Sequence, residues 1–207
     1  MEIPTLIVAP EREPRGTVFW FHGFGPGVDK ETHRPELTRL ANAGFLAVGV
    51  DAAGHGQRRD PELAVKQAAP RDQARAAMLE YVEETAHDVS RLLDRFGPAA
   101  LAGVSMGAFV VYRAAALDPR IRTAVAILGE PLWPIPDHVA LLSITAGRDV
   151  NVPPDTARAF HAHRRGQHRY LELPGEEHLM SAEGWERTMH ETLAWLQSRI
   201  AVAAPPL

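Results

Sequence analysis

The sequence predicts an α/β protein: a three-layer α/β/α sandwich built on a parallel sheet that helices cover on both sides. Short apolar runs alternate with segments of helical periodicity along the chain, which is the pattern of strand–helix–strand units. Two of these runs, Gly16–Phe21 and Phe45–Val50, are almost wholly apolar, as expected of strands buried on both faces. A third run, starting at Ala99, leads through a Gly-Val-Ser-Met-Gly segment straight into a helical pattern.

Each further element is predicted from an apolar run or from helical periodicity. We predict additional strands at Thr5–Pro10, Thr123–Leu128, Leu141–Ala146 and Arg169–Leu173. The periodic segments predict helices at Pro35–Ala43, Asp72–Phe96, Ala108–Leu117, Pro153–Arg165 and Ala182–Ile200. Asp72–Phe96 is long for a chain of this size, so we expect it to contain a kink or to form two helices.

Composition limits the possible organisation and partners. The 207 residues contain neither repeats nor a linker, so we expect one domain over residues 1–207. The net charge of −4 and the absence of a basic run argue against nucleic acid or an anionic membrane as a partner. The chain has no cysteine, which excludes disulfides and a thiol nucleophile. Because we find neither a secretory signal nor an apolar stretch of about 20 residues, we expect a cytoplasmic protein.

Ser105 is the predicted nucleophile. Gly103 and Gly107 flank it two residues away on either side. A strand that turns sharply into a helix strains the residue at the apex, and small neighbours avoid a collision there. Such a turn lifts the hydroxyl clear of the sheet edge, where a base and a substrate can reach it. The alternative interpretation is an ordinary turn with a buried serine.

The base and the acid are predicted from their positions after strands. A serine hydroxyl is a weak nucleophile that needs a base, which in turn needs an orienting acid. Functional loops of a parallel sheet lie at the carboxyl ends of its strands. Of the 10 histidines, His178 directly follows the last predicted strand, and Asp149 follows the strand before it. The predicted triad is therefore Ser105, Asp149 and His178, with Glu130 as an alternative acid.

Two backbone amides are expected to hold the oxyanion of a tetrahedral intermediate. The residue after the nucleophile supplies the Met106 N–H. The glycine-rich loop His22–Gly27 supplies the second donor, for which we predict the Phe24 N–H. A flexible connection or a phosphate-binding loop is the alternative, but the segment lacks the lysine and the glycine spacing of phosphate-binding loops.

Other histidines are assigned to structure. His55, in a Gly-His-Gly segment, is predicted to brace a loop, with direct substrate contact as the alternative. His161, His163 and His168 look at first like metal ligands. We interpret them as the solvent face of a helix, because two adjacent arginines would repel a cation. We therefore predict neither a metal nor a cofactor.

Five motifs together resemble those of the α/β-hydrolase superfamily. They are Phe21-His22-Gly23-Phe24-Gly25, Asp51-x-x-Gly54-His55-Gly56, Gly103-Val104-Ser105-Met106-Gly107, Gly147-Arg148-Asp149 and Pro174-Gly175-Glu176-Glu177-His178. The chain looks most like small bacterial carboxylesterases near the dienelactone-hydrolase and prolyl-oligopeptidase-like branch. This resemblance implies an α/β-hydrolase fold with no large cap domain: a mostly parallel, twisted sheet with an antiparallel edge strand at its start. It also implies a serine acyl-enzyme. Ser105 departs from the cysteine of dienelactone hydrolases, and the short stretch Pro131–Val139 leaves no room for the helical cap of lipases.

The predicted function is that of a serine carboxylesterase whose partner is a small acyl ester. Leu132, Trp133, Val150 and Leu179 lie in loops that should converge on the site, and we predict that they line the acyl pocket. Trp133 is equally compatible with a packing role. A peptidase or thioesterase with the same triad is the first alternative. A non-catalytic binding module of the same fold is an alternative of another class.

Pro61–Met78 is predicted to form a small partial cover over Ser105. This segment follows the strand Phe45–Val50 and so leaves the edge of the sheet where the site is expected. Pro61 and Pro70 divide it into short pieces, so it cannot simply be a crossover helix. We expect such a cover to limit the length of the acyl chain.

Overall fold

The computed structural model describes residues 3–25, 27 and 33–200. Residue 26, which belongs to the predicted loop His22–Gly27, lies outside these ranges, as do residues 28–32 and both chain ends. The strands are β1 (Thr5–Val8), β2 (Thr17–Phe21), β3 (Leu46–Val50), β4 (Ala99–Val104), β5 (Thr123–Ile127), β6 (Ala140–Ala146) and β7 (His168–Leu173). The helices are α1 (Arg34–Asn42), α2 (Leu63–Ala68), α3 (Arg71–Phe96), α4 (Met106–Leu117), α5 (Asp155–His163) and α6 (Ala182–Arg199).

The strands form one sheet of seven, in the order β1-β3-β2-β4-β5-β6-β7. β1 pairs with β3 in antiparallel fashion, and all other neighbours are parallel. This arrangement confirms the predicted fold class and the antiparallel edge strand. Since the six parallel strands point the same way, the segments that leave β4, β6 and β7 emerge at one edge of the sheet.

Both faces of the sheet are covered, which explains why its central strands are nearly all apolar. Side chains alternate along a strand. Phe19 and Phe21 of β2 therefore pack with the buried residues of α3 and α4, whereas Val18 and Trp20 pack with those of α1 and α6. All five residues of β2 are buried. The two cores together hold the sheet rigid beneath the loops that extend from it.

α3 differs from the prediction, because it is one continuous helix of 26 residues. Its apolar positions Met78, Val82, Val89 and Leu93 are buried against the core along most of its length. Tertiary packing of one helix face stabilises a helix of this length, so no break is required. None of the described helices is long and apolar enough to cross a lipid bilayer.

Candidate active site

The turn that carries Ser105 is strained and closely packed. Ser105 lies between β4 and α4 with φ 53° and ψ −118°, a region that non-glycine residues rarely adopt. A β-carbon added at Gly103 would collide with the backbone of Gly107, and one added at Gly107 would collide with the carbonyl of Phe21. The Ser105 amide donates to the Ile127 carbonyl at 2.8 Å. The apex is therefore anchored to β5 as well as to its own strand.

Three side chains from separate loops form a hydrogen-bonded chain. The Ser105 Oγ lies 3.0 Å from the Nε2 of His178, and the Nδ1 of His178 lies 2.7 Å from the Oδ2 of Asp149. A carboxylate can only accept, so Nδ1 carries the proton and Nε2 presents its lone pair to the serine hydroxyl. This is the arrangement in which an imidazole can take a proton from a serine.

The carboxylate of Asp149 is buried, and its charge is matched by donors. Asp149 is 3% exposed, and its Oδ1 accepts hydrogen bonds from the amides of Asn151 and Val152, both at 2.8 Å. His178 occupies Oδ2. A buried carboxylate with three donors keeps one orientation, so it can orient the imidazole as well as balance its charge.

Glu130, the alternative acid, has a different partner. Its Oε2 lies 2.5 Å from the Nη2 of Arg75, and that guanidinium also lies over the Phe109 ring. Glu130 lines the same cleft as Ser105, but the carboxylate bonded to His178 is that of Asp149. The geometry therefore favours Asp149 as the acid.

The loop that carries Phe24 is held by His22. The Nδ1–H of His22 donates to the Gly23 carbonyl at 2.7 Å, and its Nε2 accepts from the Ala52 amide at 3.1 Å. This fixes the peptide group that carries the Phe24 N–H, because a carbonyl and the amide that follows it share one plane. The Phe24 carbonyl accepts from the side chain of Gln67 at 3.1 Å. The second predicted donor, Met106, is the first residue of α4, where amides have no partner within the helix.

The hydroxyl opens on a cleft of about 820 Å³. One wall comes from the predicted cover, since Gln67 of α2 and Arg71, Ala74, Arg75 and Met78 of α3 all line it. The rest of the lining includes His22, Gly23, Phe24, His33, Val104, Leu128, Glu130, Asn151, Val152, Pro153, His178 and Leu179. Residues 67–78 of the predicted cover therefore lie beside the cleft that Ser105 lines. Contrary to the prediction, residues 71–78 belong to the crossover helix α3 itself, and only α2 is a separate short piece.

The predicted acyl-pocket residues are only partly brought together. Leu179 lines the cleft, but the described lining includes none of Leu132, Trp133 and Val150, so that part of the prediction is wrong. Trp133 packs against the hydrophobic core with the Arg113 guanidinium over its ring, so it has the packing role that was the alternative to lining the acyl pocket. Leu132 and Val150 point to solvent, at 40% and 73% exposure. A contact prediction from loop position cannot tell which of two neighbouring side chains turns inward.

Leu128 is a lining residue that sequence reasoning missed. It is 3% exposed and has φ 57°, and with Ser105 it is one of two described non-glycine residues with positive φ. Strained backbone of this kind concentrates at functional sites, where surrounding structure holds it in place. An apolar residue at the end of an apolar strand gives no sequence signal for such a conformation.

His55 is completely buried. The Nδ1–H of His55 donates to the Ala53 carbonyl at 2.8 Å, and its ring contacts Phe24 and Tyr81, so it braces the loop beside the cleft. Burial lowers the pKa of His55.

His161 does not lie on a solvent face, contrary to the prediction. It is 6% exposed, with its Nε2 2.8 Å from the Oγ of Ser143.

The predicted solvent-facing helix also ends earlier than expected. α5 stops at His163, and His168 belongs to β7. Arg164 has an extended backbone, and its guanidinium donates to the carbonyls of Ile135, Pro136 and Val139. These contacts hold the Arg164 side chain in place where the helix ends. Within the described part of the chain, no three histidine or acidic side chains are grouped so as to hold a metal ion.

We expect the free energy of unfolding to fall as the pH is lowered from about 6.5 to about 4, because of His161. Burial, with smaller contributions from the charges of His168 and Arg164, lowers the pKa of His161 to about 4. The unfolded chain therefore takes up this proton first, and the loss amounts to about 2–3 kcal/mol. Urea unfolding at several pH values should show a weaker pH dependence for His161→Gln. The exposed His163 offers the control, since His163→Gln should keep the wild-type dependence; equal slopes for all three proteins would contradict this assignment.

Comparison with known proteins agrees with the fold. The sequence matches the model of the "Alpha/beta hydrolase family" over residues 18–207, nearly the whole chain. The chain belongs to the α/β-hydrolase family. Membership supports a hydrolase, in agreement with the motifs around Ser105 and His178. No protein of curated function matches the chain.

Solved structures share the architecture of this hydrolase at low sequence identity. TT1662 from Thermus thermophilus is 25% identical with a TM-score of 0.70, over 96% of this chain and 100% of that one. A cold-adapted esterase from an Arctic intertidal metagenomic library is 20% identical with a TM-score of 0.72, over 96% of this chain and 89% of that one. An acylaminoacyl peptidase from Pyrococcus horikoshii is 14% identical with a TM-score of 0.71, over 100% of this chain and 41% of that one. These similarities extend to the fold and leave the substrate open.

Proposed function

We propose that this hydrolase is a serine carboxylesterase that cleaves small acyl esters through an acyl-enzyme. The observation that carries the proposal is the continuous hydrogen-bonded chain from Ser105 through His178 to Asp149, with distances of 3.0 and 2.7 Å, at the edge of a cleft of about 820 Å³. A nucleophile, a base and an orienting acid in contact, beside a space large enough for a small substrate, are the components that acyl transfer requires.

Acylation begins with proton transfer from the Ser105 hydroxyl to the Nε2 of His178. The serine oxygen forms a bond to the ester carbonyl carbon, and the carbonyl oxygen becomes an oxyanion that accepts from the Phe24 and Met106 amides. The tetrahedral intermediate then collapses. The bond to the alcohol oxygen breaks, and the imidazolium returns its proton to that oxygen, so the alcohol leaves neutral.

Deacylation repeats the same steps with water. His178 takes a proton from a water molecule, whose oxygen attacks the acyl carbon bound to Ser105. When the second intermediate collapses, the serine oxygen takes the proton back from His178 and the carboxylic acid is released. Throughout, Asp149 keeps the Nδ1 proton of His178 in place and stabilises the imidazolium while it exists.

The cover supports a preference for short acyl groups. Met78 and Leu128 are almost completely buried, at 8% and 3% exposure, and both line the cleft that Ser105 lines. Ala74 and Val152 add further apolar surface. Apolar lining favours an aliphatic acyl chain, and buried, well-packed side chains in that lining limit how long the chain can be.

We expect the purified protein to hydrolyse p-nitrophenyl acetate and butyrate with higher kcat/KM than p-nitrophenyl octanoate or palmitate. The released p-nitrophenol reports each rate directly. Met78→Ala should shift the preference towards the longer esters, because it removes a buried apolar side chain from the lining and enlarges the cleft. Leu79→Ala is the matched control, since Leu79 packs against the core from the same helix and does not line the cleft.

One result would contradict this function, and another would contradict only the role of the cover. Hydrolysis of acyl thioesters with no measurable hydrolysis of oxygen esters would make the protein a thioesterase. An ester preference that stays the same in Met78→Ala and Leu79→Ala would show that the cover does not limit the acyl chain. Melting temperatures of both variants should be measured alongside, because each substitution removes buried methylene groups.

A further inference from the structure

The turn after Asp149 is held between two opposite charges. On one side, the Nη2 of Arg71 donates to the carbonyl oxygens of Val150 and Asn151, at 2.6 and 3.0 Å. On the other side, the amides of Asn151 and Val152 donate to the Oδ1 of Asp149, both at 2.8 Å. Arg71 comes from the first turn of α3, and it is the only described side chain for which hydrogen bonds to these two carbonyls are seen.

These four hydrogen bonds involve only two peptide groups. The Val150 carbonyl and the Asn151 amide belong to one group, and the Asn151 carbonyl and the Val152 amide belong to the next. No described peptide bond is cis, so in each group the C=O and the N–H point in opposite directions. Each peptide group therefore has the guanidinium of Arg71 at its oxygen end and the carboxylate of Asp149 at its N–H end.

This arrangement makes each peptide group a stronger donor to Asp149. A cation bound at a carbonyl oxygen draws electron density towards it, so the N–H of the same group becomes more positive and binds a carboxylate more tightly. Both ends are charge-assisted hydrogen bonds, which are shorter and stronger than neutral ones. With its Oδ1 held by two such donors, Asp149 keeps Oδ2 directed at the Nδ1–H of His178.

We propose that Arg71 is a positioning residue of the triad, which acts through the peptide groups of residues 150–152 to hold the Asp149 carboxylate in the orientation that binds His178. This rests on the proposed serine-hydrolase function. In the described structure the hydrogen bonds of Arg71 go to the Val150 and Asn151 carbonyls and not to Ser105 or His178, so its effect passes through the backbone. It also makes the cover part of the catalytic arrangement, because the helix that forms one wall of the cleft fixes the loop of the triad acid.

A role in substrate binding makes a different prediction. Arg71 also lines the cleft, so it could instead bind an anionic group of a substrate. Loss of a binding group raises KM for anionic substrates and leaves the reactivity of the serine unchanged. Loss of a positioning group lowers kcat for neutral esters while KM stays the same. Neutral esters and a neutral fluorophosphonate therefore separate the two roles.

The test is the substitution Arg71→Met, which keeps much of the aliphatic stem and removes the donors. We expect kcat for p-nitrophenyl butyrate and the rate of fluorophosphonate labelling of Ser105 to fall by about tenfold, with KM changed by less than about twofold. The loss is moderate because Arg71 is exposed and water replaces part of its contacts. Arg71→Lys should recover part of the rate, since an ammonium can donate to only some of the same positions.

A proton NMR spectrum gives a readout that does not depend on turnover. The His178 Nδ1–H, bonded to a carboxylate at 2.7 Å, should give a resonance far downfield. This resonance should move upfield or broaden in Arg71→Met. It should persist in Arg75→Met, which removes the other cleft arginine and its pair with Glu130. It should also persist in Arg39→Met, which removes a partly exposed arginine that pairs with Glu186 outside the cleft. Arg39→Met should also keep the wild-type labelling rate and melting temperature.

The outcomes separate the two proposals. If wild-type protein is labelled at Ser105 but Arg71→Met is labelled at the same rate with an unchanged downfield resonance, the positioning role is wrong and the serine hydrolase stands. A rise in KM limited to anionic esters would likewise overturn it in favour of substrate binding. If the wild type is not labelled at all, the proposed function itself fails, while the downfield resonance still reports whether Arg71 orients Asp149.

Discussion

Ser105→Ala is expected to abolish labelling by a fluorophosphonate and to lower kcat by about 10⁴-fold or more. Alanine keeps the backbone of the turn but removes the atom that forms the acyl-enzyme. The activity that remains comes from binding and from the oxyanion donors, which still bring water and ester together. Mass spectrometry of the labelled wild type should find one modified peptide, the one that contains Ser105.

Ser143 is a control for the assignment of Ser105 as the nucleophile. Its Oγ lies 2.8 Å from the Nε2 of His161, so it too is a serine in contact with a histidine. It is completely buried, however, and also bonds to the Tyr112 hydroxyl, so no reagent can reach it. Ser143→Ala protein that remains folded should be labelled like the wild type. Labelling at Ser143, or at any serine other than Ser105, would overturn the assignment of the nucleophile.

Asp149→Asn is expected to lower kcat by about 10³–10⁴-fold. The substitution keeps the size of the side chain but removes its charge. An amide that turns its NH₂ towards His178 also favours the tautomer with the proton on Nε2, which then cannot accept the proton of Ser105. The rate of p-nitrophenyl butyrate hydrolysis measures the loss, and the melting temperature shows whether the variant stays folded.

Glu130→Gln provides the comparison between the two acids. Glu130 pairs with Arg75 and not with His178, so we expect a loss of less than about tenfold, much smaller than that of Asp149→Asn. The reverse ranking of the two variants would assign the role of the acid to Glu130. The comparison is well matched, because both substitutions replace a carboxylate at the same edge of the sheet with its amide.

The sequence predicts the sheet and the order of the three triad residues because both depend on short local patterns. A strand buried on both faces needs a nearly unbroken apolar run, and β2 has one. The residues that follow β4, β6 and β7 meet at one sheet edge whatever the loops contain. Position along the chain was therefore enough to bring Ser105, Asp149 and His178 together as candidates.

The cleft wall was harder to predict, because it depends on which way individual side chains turn. Val150 and Val152 are two residues apart, and only Val152 faces the cleft. Leu128 acquires its position from a left-handed backbone conformation, for which leucine carries no signal. The prediction for His161 is wrong for a related reason, because adjacent arginines indicate a solvent face. In the structure the His161 ring turns inward and bonds to the buried hydroxyl of Ser143.

The length of α3 has a consequence for how substrates reach the site. Its first turns form a wall of the cleft, and its later turns, including Val89 and Leu93, are buried in the core. This part of the cleft lining can therefore move outward only if the whole helix leaves its packing against the core. We therefore expect the cleft to open by movement of the short helix α2, which can rotate about the extended backbone of Ala69 and Pro70. Substrate would then enter and leave the cleft on the side of α2, while α3 keeps the shape of the cleft.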